Sequence, residues 1–349
     1  MTMDLQYQPI TLKLETPFRI AHGTSVVRQN VLVRIGAGGL EGLGEAAPVR
    51  QHHETQAGVM GYLADLALPD DPFLLEDLLD ALPPGSQAAK AAIDMALHDL
   101  QGKALGIPLY RLWGLNPARA PQTSFTLGLG PVAEVRARAR AAAARFSILK
   151  LKLDADEAES LALARAVRET VDSRLVADAN CAWTLDQALR LIPALAELGL
   201  EWIEQPLAED NLGDLEKLHQ TSPLPIFADE PVRTARDIPR LAGRVDGVNI
   251  KVIKAGGLRE ARRMIAVARA HDMQVMLGCM VETSLGITAA AHLAPLVDWA
   301  DLDGNLTVTN DPFVGVAVEG GELILPGGPG LGVQPRGPAV GARQSEEGP

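Results

Sequence analysis

The sequence predicts an α/β fold, a parallel β/α barrel preceded by a smaller α+β unit. Three observations carry this reading. From residue 121 onward, short apolar runs alternate with helical patterns, as parallel β/α units require. Ionisable residues just past those runs fall at Lys152, Asp178, Glu204, Asp229, Lys251 and Asp301, with gaps of 26, 26, 25 and 22 residues and then 50, two units of 25. A barrel of roughly 250 residues divided into eight units has this period. A doubly wound open sheet gives the same alternation, but it does not gather six strand ends around one pocket.

In chain order, strand-like stretches at 10–14 and 30–35, the turn glycines Gly36, Gly38 and Gly39, and a helical stretch at 87–105 make the first 115 residues an α+β unit. The barrel strands are expected at 147–153, 174–177, 200–203, 226–228, 247–252, 274–277 and 299–302. Thr184 with Gln187 is a capping box that starts a helix, and Thr234 with Asp237 is a weaker start signal. Gly256-Gly257 opens a helix after a strand; it reads as a tight turn before it reads as a phosphate site. From about Gly327 the chain is rich in Gly and Pro and is expected at the surface, with 336–349 disordered.

Composition limits the function. The 349 residues are 47% hydrophobic and 22% charged, the balance of a water-soluble globular chain. No apolar run approaches the roughly 20 residues of a membrane span, and the N-terminus carries no secretory pattern. A net charge of −12 argues against a nucleic-acid surface. Two cysteines, Cys181 and Cys279, cannot build a disulfide framework and suit a reducing cytoplasm; both read as packing residues. Of 32 basic residues, 24 are Arg and 8 are Lys, yet four lysines cluster at Lys150, Lys152, Lys251 and Lys254. Lysine can lose its proton where arginine cannot, so lysines in an arginine-preferring chain point to proton transfer.

Asp178, Glu204 and Asp229 place three carboxylates on consecutive strand ends. Like charges gathered together call for a cation, and an all-oxygen donor set favours Mg²⁺ over Zn²⁺; the competing reading is helix-capping carboxylates. Lys152 and Lys251 fall on opposite sides of the ring, where two bases can take a proton from either face of a carbon. A metal-bound carboxylate would stabilise the enediolate formed. Nearby cations, Lys150 among them, would lower the base's pKa towards neutrality. A Schiff-base lysine is the rival, but it has no need of the carboxylates. Lys254 reads as a turn or surface charge, His52 and His53 as loop residues, and Glu230 and Glu282 as neighbours of the pocket.

These stretches resemble the enolase superfamily, muconate-lactonising-enzyme subgroup, and within it the dipeptide epimerases, those acting on L-Ala-D/L-Glu among them. The matching stretches are Leu149-Lys-Leu-Lys-Leu-Asp154, Asp178-Ala-Asn180, Glu204-Gln-Pro206, Ala228-Asp-Glu230, Asn249-Ile-Lys251 through Gly257, Gly278 through Glu282, and Asp301-Leu-Asp303-Gly304. Residues 42–46 and 99–114 resemble the family's capping domain, so the likeness covers nearly the whole chain. It implies a modified TIM barrel, (β/α)7β, at 116–310, with a capping domain of 1–115 completed by 311–335. It implies one Mg²⁺ on Asp178, Glu204 and Asp229, and acid/base lysines Lys152 and Lys251 assisted by Lys150. It places Asp301 and Asp303 at a substrate ammonium, with Lys150 and Met280 as further substrate contacts. Epimerases acting on Ala-Glu often carry an Arg after Pro17-Phe18; Gly23 stands there, with Arg19, His22, Arg28 and Arg50 nearby.

The function expected is Mg²⁺-dependent epimerisation of a dipeptide by 1,1-proton transfer at an α-carbon, in the cytoplasm. The expected partners are the dipeptide and further copies of the chain, not nucleic acid or membrane. The alternatives are an o-succinylbenzoate synthase or N-acylamino-acid racemase, a muconate-type cycloisomerase, and a barrel that binds a dipeptide without turnover.

Overall fold

The structure, a computed structural model, describes residues 3–20, 23–69 and 71–337. The chain begins as an antiparallel meander in which β1 (Asp4–Ile20) pairs with β2 (Gly23–Ala37) and β2 with β3 (Leu40–Ala46). The β1/β2 register slips between Lys13 and Phe18, a stretch containing Pro17, which has no N–H for the ladder. Helices α1 (Gln56–Ala64), α2 (Leu75–Asp80), α3 (Gln87–Leu105) and α4 (Leu109–Leu112) follow. α3 has the bounds expected of it. Ser86 caps its start by accepting from the Ala89 N–H, and left-handed Gly106 ends it. A Cβ at Gly42 or Gly44 would lie 1.9 Å from the carbonyl oxygen of Ala96 or Ala92. Two glycines on β3 against alanines on α3 therefore let the sheet close onto the helix.

Eight strands then run in order through one parallel sheet. They are β4 (Phe125–Leu127), β5 (Ile148–Lys152), β6 (Arg174–Asp178), β7 (Leu200–Glu204), β8 (Ile226–Ala228), β9 (Gly247–Lys251), β10 (Gln274–Gly278) and β11 (Trp299–Asp301). A parallel bridge between Thr123 and Ala300 joins the two ends of the sheet into a barrel. Seven of these strands fall on the expected runs; β4, three residues long, was not among them. The connections carry α5 (Val132–Ala143), α6 (Glu157–Arg168), α7 (Leu185–Glu197), α8 (Leu212–Thr221), α9 (Val252–Ala255), α10 (Leu258–Ala270) and α11 (Ser284–Ala291). The capping box at α7 is formed in both directions by Thr184 and Gln187. The weaker signal at Thr234 starts no α-helix. Asp237 accepts from the Thr234 N–H and hydroxyl, closing a turn before a single 3₁₀ turn at Ile238–Leu241.

Alternation along the strands builds the barrel interior in layers. Ile148, Val176, Trp202, Phe227 and Met276 form a separate apolar cluster, with Trp299 packed against it. Two residues further along the same strands, on the same face, come Lys150, Asp178, Glu204, Asp229, Gly278 and Asp301. An apolar floor thus lies directly under the charged ring.

The C-terminal segment adds β12 (Phe313–Val314), β13 (Ala317–Glu319), β14 (Glu322–Ile324) and β15 (Gln334–Pro335). The stretch after Gly327 is not the surface segment that its composition suggested. Leu331 and Val333 are buried, the Leu331 N–H donates to Asp99 of α3, and Gly330 bridges to Pro108. Of the expected disordered tail at 336–349, Arg336 is bonded to the body, its N–H donating to the Pro312 carbonyl oxygen, and 338–349 lie outside the described residues. Among the described residues no helix is long and apolar enough to cross a membrane.

Candidate active site

The strand ends open into a cavity of about 1000 Å³, mouth included. Barrel residues form its floor and walls: Thr126, Lys150, Lys152, Asp229, Lys251, Met280, Asp301 and Asp303 among them. Phe18, Ile20 and Arg28 of the β1–β2 hairpin reach over it. Asp178 and Glu204 are fully buried beneath.

Every lysine in the cavity meets carboxylates. Lys150 Nζ lies 2.5 Å from Glu204 Oε2, 2.6 Å from Asp301 Oδ2 and 3.7 Å from Asp178 Oδ2. Lys152 donates to Asp178 Oδ2 at 2.5 Å, and Lys251 to Asp229 Oδ2 at 2.8 Å. β5 and β9 are four places apart in a ring of eight, so Lys152 and Lys251 face each other across the cavity. The lysine pKa depression expected from nearby cations is opposed here. Burial lowers Lys150 and Lys251, but Asp301, Glu204 and Asp178 around the first, and Asp229 and Glu204 around the second, outweigh burial and hold both above the usual lysine value.

The carboxylates are tuned apart. Burial and repulsion from Asp178 push Glu204 up to about 7. Burial would raise Asp229 too, but Lys251 and Lys254 outweigh it and hold the group well below the usual range. Asp178 is likewise lowered, by Lys152 and Lys150 against burial. Burial together with Asp229 and Asp178 pushes Glu230 up to about 8. Asn249 donates to Glu204 Oε1 at 2.7 Å, and Gln205 accepts from the Asp229 N–H at 2.9 Å. Asn180, Cys181 and Gln205, just past β6 and β7, hold left-handed backbone, the kind of strain found where side chains are aimed at a site.

Six carboxylates (Asp178, Glu204, Asp229, Glu230, Asp301, Asp303) stand against four ammonium groups (Lys150, Lys152, Lys251, Lys254). An all-oxygen set with excess negative charge fits a hard divalent cation, and Asp178, Glu204 and Asp229 could hold one. Their side chains are spread over lysine partners, and among the described residues no three His, Cys, Asp or Glu form a ready-made metal cluster.

Other residues resolve as follows. Asp301 is engaged by Lys150 and by the Ser124 hydroxyl at 2.5 Å, and Asp303 accepts from the Thr126 N–H at 2.6 Å. Lys254 is not a surface charge. It is 4% exposed, and its Nζ lies 2.5 Å from both Asp229 Oδ1 and the Asp229 carbonyl oxygen. A single helical turn, α9, brings it back over the strand end. Gly256-Gly257 forms a tight turn, with φ of 85° and 135°, and the Asp94 carboxylate occupies the N-terminus of α10 by accepting from the Leu258 and Arg259 N–H groups. His52 lines the cavity while His53 is exposed. Arg28 lines the cavity, Arg50 borders the space beside it and Arg19 is exposed. His22 lies outside the described residues. Cys181 and Cys279 are unbridged, and burial pushes both thiols up. Sequence reasoning missed Ser124 and Thr126, and it quoted Asn249, Gln205 and Glu45 within matching stretches without giving them a role. The uncharged among them lacked a residue type that announces chemistry, and Glu45 sits in the capping sheet.

Family comparison agrees with this architecture. Residues 134–340 match the enolase C-terminal domain-like family, and residues 4–114 match the mandelate racemase / muconate lactonizing enzyme N-terminal domain. The chain belongs to the enolase superfamily, in the mandelate racemase / muconate lactonizing enzyme branch. It is 43% identical to the L-Ala-D/L-Glu epimerase of Bacteroides thetaiotaomicron, over 95% of this chain and 88% of that one. A substrate-liganded L-Ala-D/L-Glu epimerase from Bacillus subtilis superposes with a TM-score of 0.90 at 32% identity, covering 95% of this chain and 99% of that one. The dipeptide epimerase from Enterococcus faecalis, complexed with Mg and L-Leu-L-Tyr, superposes with a TM-score of 0.88 at 34% identity, covering 95% and 99%.

Proposed function

We propose that this protein is a Mg²⁺-dependent dipeptide epimerase, an isomerase working by 1,1-proton transfer. The observation that carries the reading is the pair Lys152 and Lys251, facing each other across one cavity that Asp301 and Asp303 also line. Asp178, Glu204 and Asp229 would hold Mg²⁺, which would supply positive charge for the substrate carboxylate and for the negative charge developing as the α-proton leaves. One lysine takes the proton from its face of the α-carbon and the other returns a proton to the opposite face, inverting the centre. Lys150, fully charged between Glu204 and Asp301, adds fixed positive charge beside the developing enediolate. Asp303 receives the dipeptide ammonium, and the hairpin residues Phe18 and Ile20 cover the mouth and keep water out. Two unbridged cysteines support a reducing, cytoplasmic location.

The test is proton exchange in D₂O. Each epimer of a dipeptide is incubated separately and followed by ¹H NMR for deuterium at the α-carbon and for the other epimer. The native enzyme exchanges and interconverts both, and EDTA stops this until Mg²⁺ is restored. Lys152→Ala and Lys251→Ala each abolish epimerisation but retain exchange of one epimer, a different one in each variant. No exchange by the native enzyme would leave a binding protein in place of an epimerase.

A further inference from the structure

Lys254 belongs to neither proton-transfer face, yet it is among the best buried cations in the molecule. Its Nζ holds two atoms of one residue, Asp229 Oδ1 and the Asp229 carbonyl oxygen. The other carboxylate oxygen, Oδ2, accepts from Lys251. The Asp229 N–H is fixed in turn by Gln205. Asp229 is thus the link between two ammonium groups that differ in position: Lys251 ends β9 at the cavity, while Lys254 comes back from the turn of α9.

That difference divides their work. A lysine that must reach a substrate cannot also be the anchor of its own acceptor. The carboxylate torsion of an aspartate is broad and two-fold, and a lysine stem is flexible. With Oδ1 released, the Asp229 carboxylate can rotate and Lys251 loses its fixed station. We propose that Lys254 is a positioning residue that clamps the Asp229 carboxylate and thereby keeps Lys251 aimed into the cavity, a role that rests on Lys251 being one of the two proton-transfer lysines. Lys152 depends on a different carboxylate. Its partner, Asp178 Oδ2, belongs to a group whose Oδ1 is fixed by the Asn180 N–H at 2.8 Å, with no contribution from Lys254. The consequence of losing Lys254 is therefore one-sided.

The experiment is Lys254→Met, assayed by D₂O exchange on each epimer separately, with Mg²⁺ binding to each variant measured by calorimetry so that both are compared at saturation. The epimer served by Lys251 is identified as the one whose exchange Lys251→Ala loses. In Lys254→Met the exchange rate of that epimer falls by on the order of 10–100-fold, the cost of a misplaced reacting group. Its KM, and exchange of the epimer served by Lys152, change by less than about threefold. Lys254 also borders a second cavity, between the barrel and α1, which gives a small amine access. Lys254→Ala in added propylammonium therefore recovers the Lys251-side rate, and it serves as the working variant if Lys254→Met does not fold. Equal loss on both faces, no loss on either, or no recovery by the amine overturns the positioning role. A native enzyme that exchanges neither epimer overturns the parent reading instead.

Discussion

Asp301 and Asp303 lie two residues apart on one face, yet their partners make them unequal. Lys150 takes one oxygen of Asp301, and the Ser124 and Thr126 hydroxyls take the other. Asp303 has no such cation at hydrogen-bond distance among the described residues and accepts from Thr126, its N–H at Oδ2, while burial and repulsion from Asp301 push its pKa up to about 6. A buried carboxylate raised in this way gains most from an incoming cation, which makes Asp303 the proposed acceptor for a substrate ammonium. Asp303→Asn should raise KM for a dipeptide with a free amine by at least about tenfold, equivalent to 1.4 kcal/mol. N-acetylating the dipeptide should cost the native enzyme a similar factor and the variant much less, because the lost partner is already gone. The pH dependence has a definite sign. With its pKa raised above the ordinary aspartate value, Asp303 is ionised above about 6 and protonated below it. KM for the free-amine dipeptide should therefore climb as pH falls through about 6, and that limb should be missing in Asp303→Asn. Equal turnover of free and acetylated dipeptides would favour an N-acylamino-acid racemase.

Among the elements, the junction of α9 and α10 shows how one turn ties the barrel to α3. Gly257 has φ of 135°, and a Cβ there would come within 2.4 Å of the Asp94 side chain that caps α10. Gly257→Ala should cost more than about 1–3 kcal/mol in urea unfolding, from backbone strain alone. Asp94→Ala should cost about 0.5–2 kcal/mol as a lost cap. The double variant should cost less than the sum, because removing Asp94 removes the clash. The same junction marks the limit of what the sequence reveals. Strand periodicity located seven barrel strands, because each carries a short apolar run and six of the seven end on or next to an ionisable residue, β10 ending on Gly278. β4 escaped because three residues cannot establish a period, and its contributions, Ser124 and Thr126, act through a hydroxyl and a main-chain N–H. Lys254 was misplaced because an isolated helical turn leaves no periodic pattern, and only the folded chain brings it over Asp229. Gly and Pro after Gly327 suggested surface; packing of Leu331 against α3 overrode composition.

For the whole molecule, Glu45 is one of the bonds that tie the capping sheet to the barrel. From β3 its fully buried carboxylate accepts from the Thr283 N–H and hydroxyl, the Gly286 N–H and the Asn30 amide, while Asn30 also donates to the Val281 carbonyl oxygen. It thereby caps α11 of the barrel from the other unit, immediately after Met280 and Val281 in the cavity wall. Glu45→Ala leaves several buried donors unpaired, at about 1–3 kcal/mol each, and frees the wall from the hairpin that covers it. Its thermal midpoint and kcat/KM should both fall. The carboxylates beneath the cavity belong to the barrel alone, so Mg²⁺ should still stabilise Glu45→Ala, by about 2.7 kcal/mol at a hundredfold excess over Kd. Glu204→Gln should show the reverse, losing the Mg²⁺-dependent rise in thermal midpoint while its cap contacts stay intact. Loss of that rise in Glu45→Ala as well would mean that the metal ligands depend on the capping sheet for their geometry, and that cap and barrel are a single cooperative unit from mouth to floor.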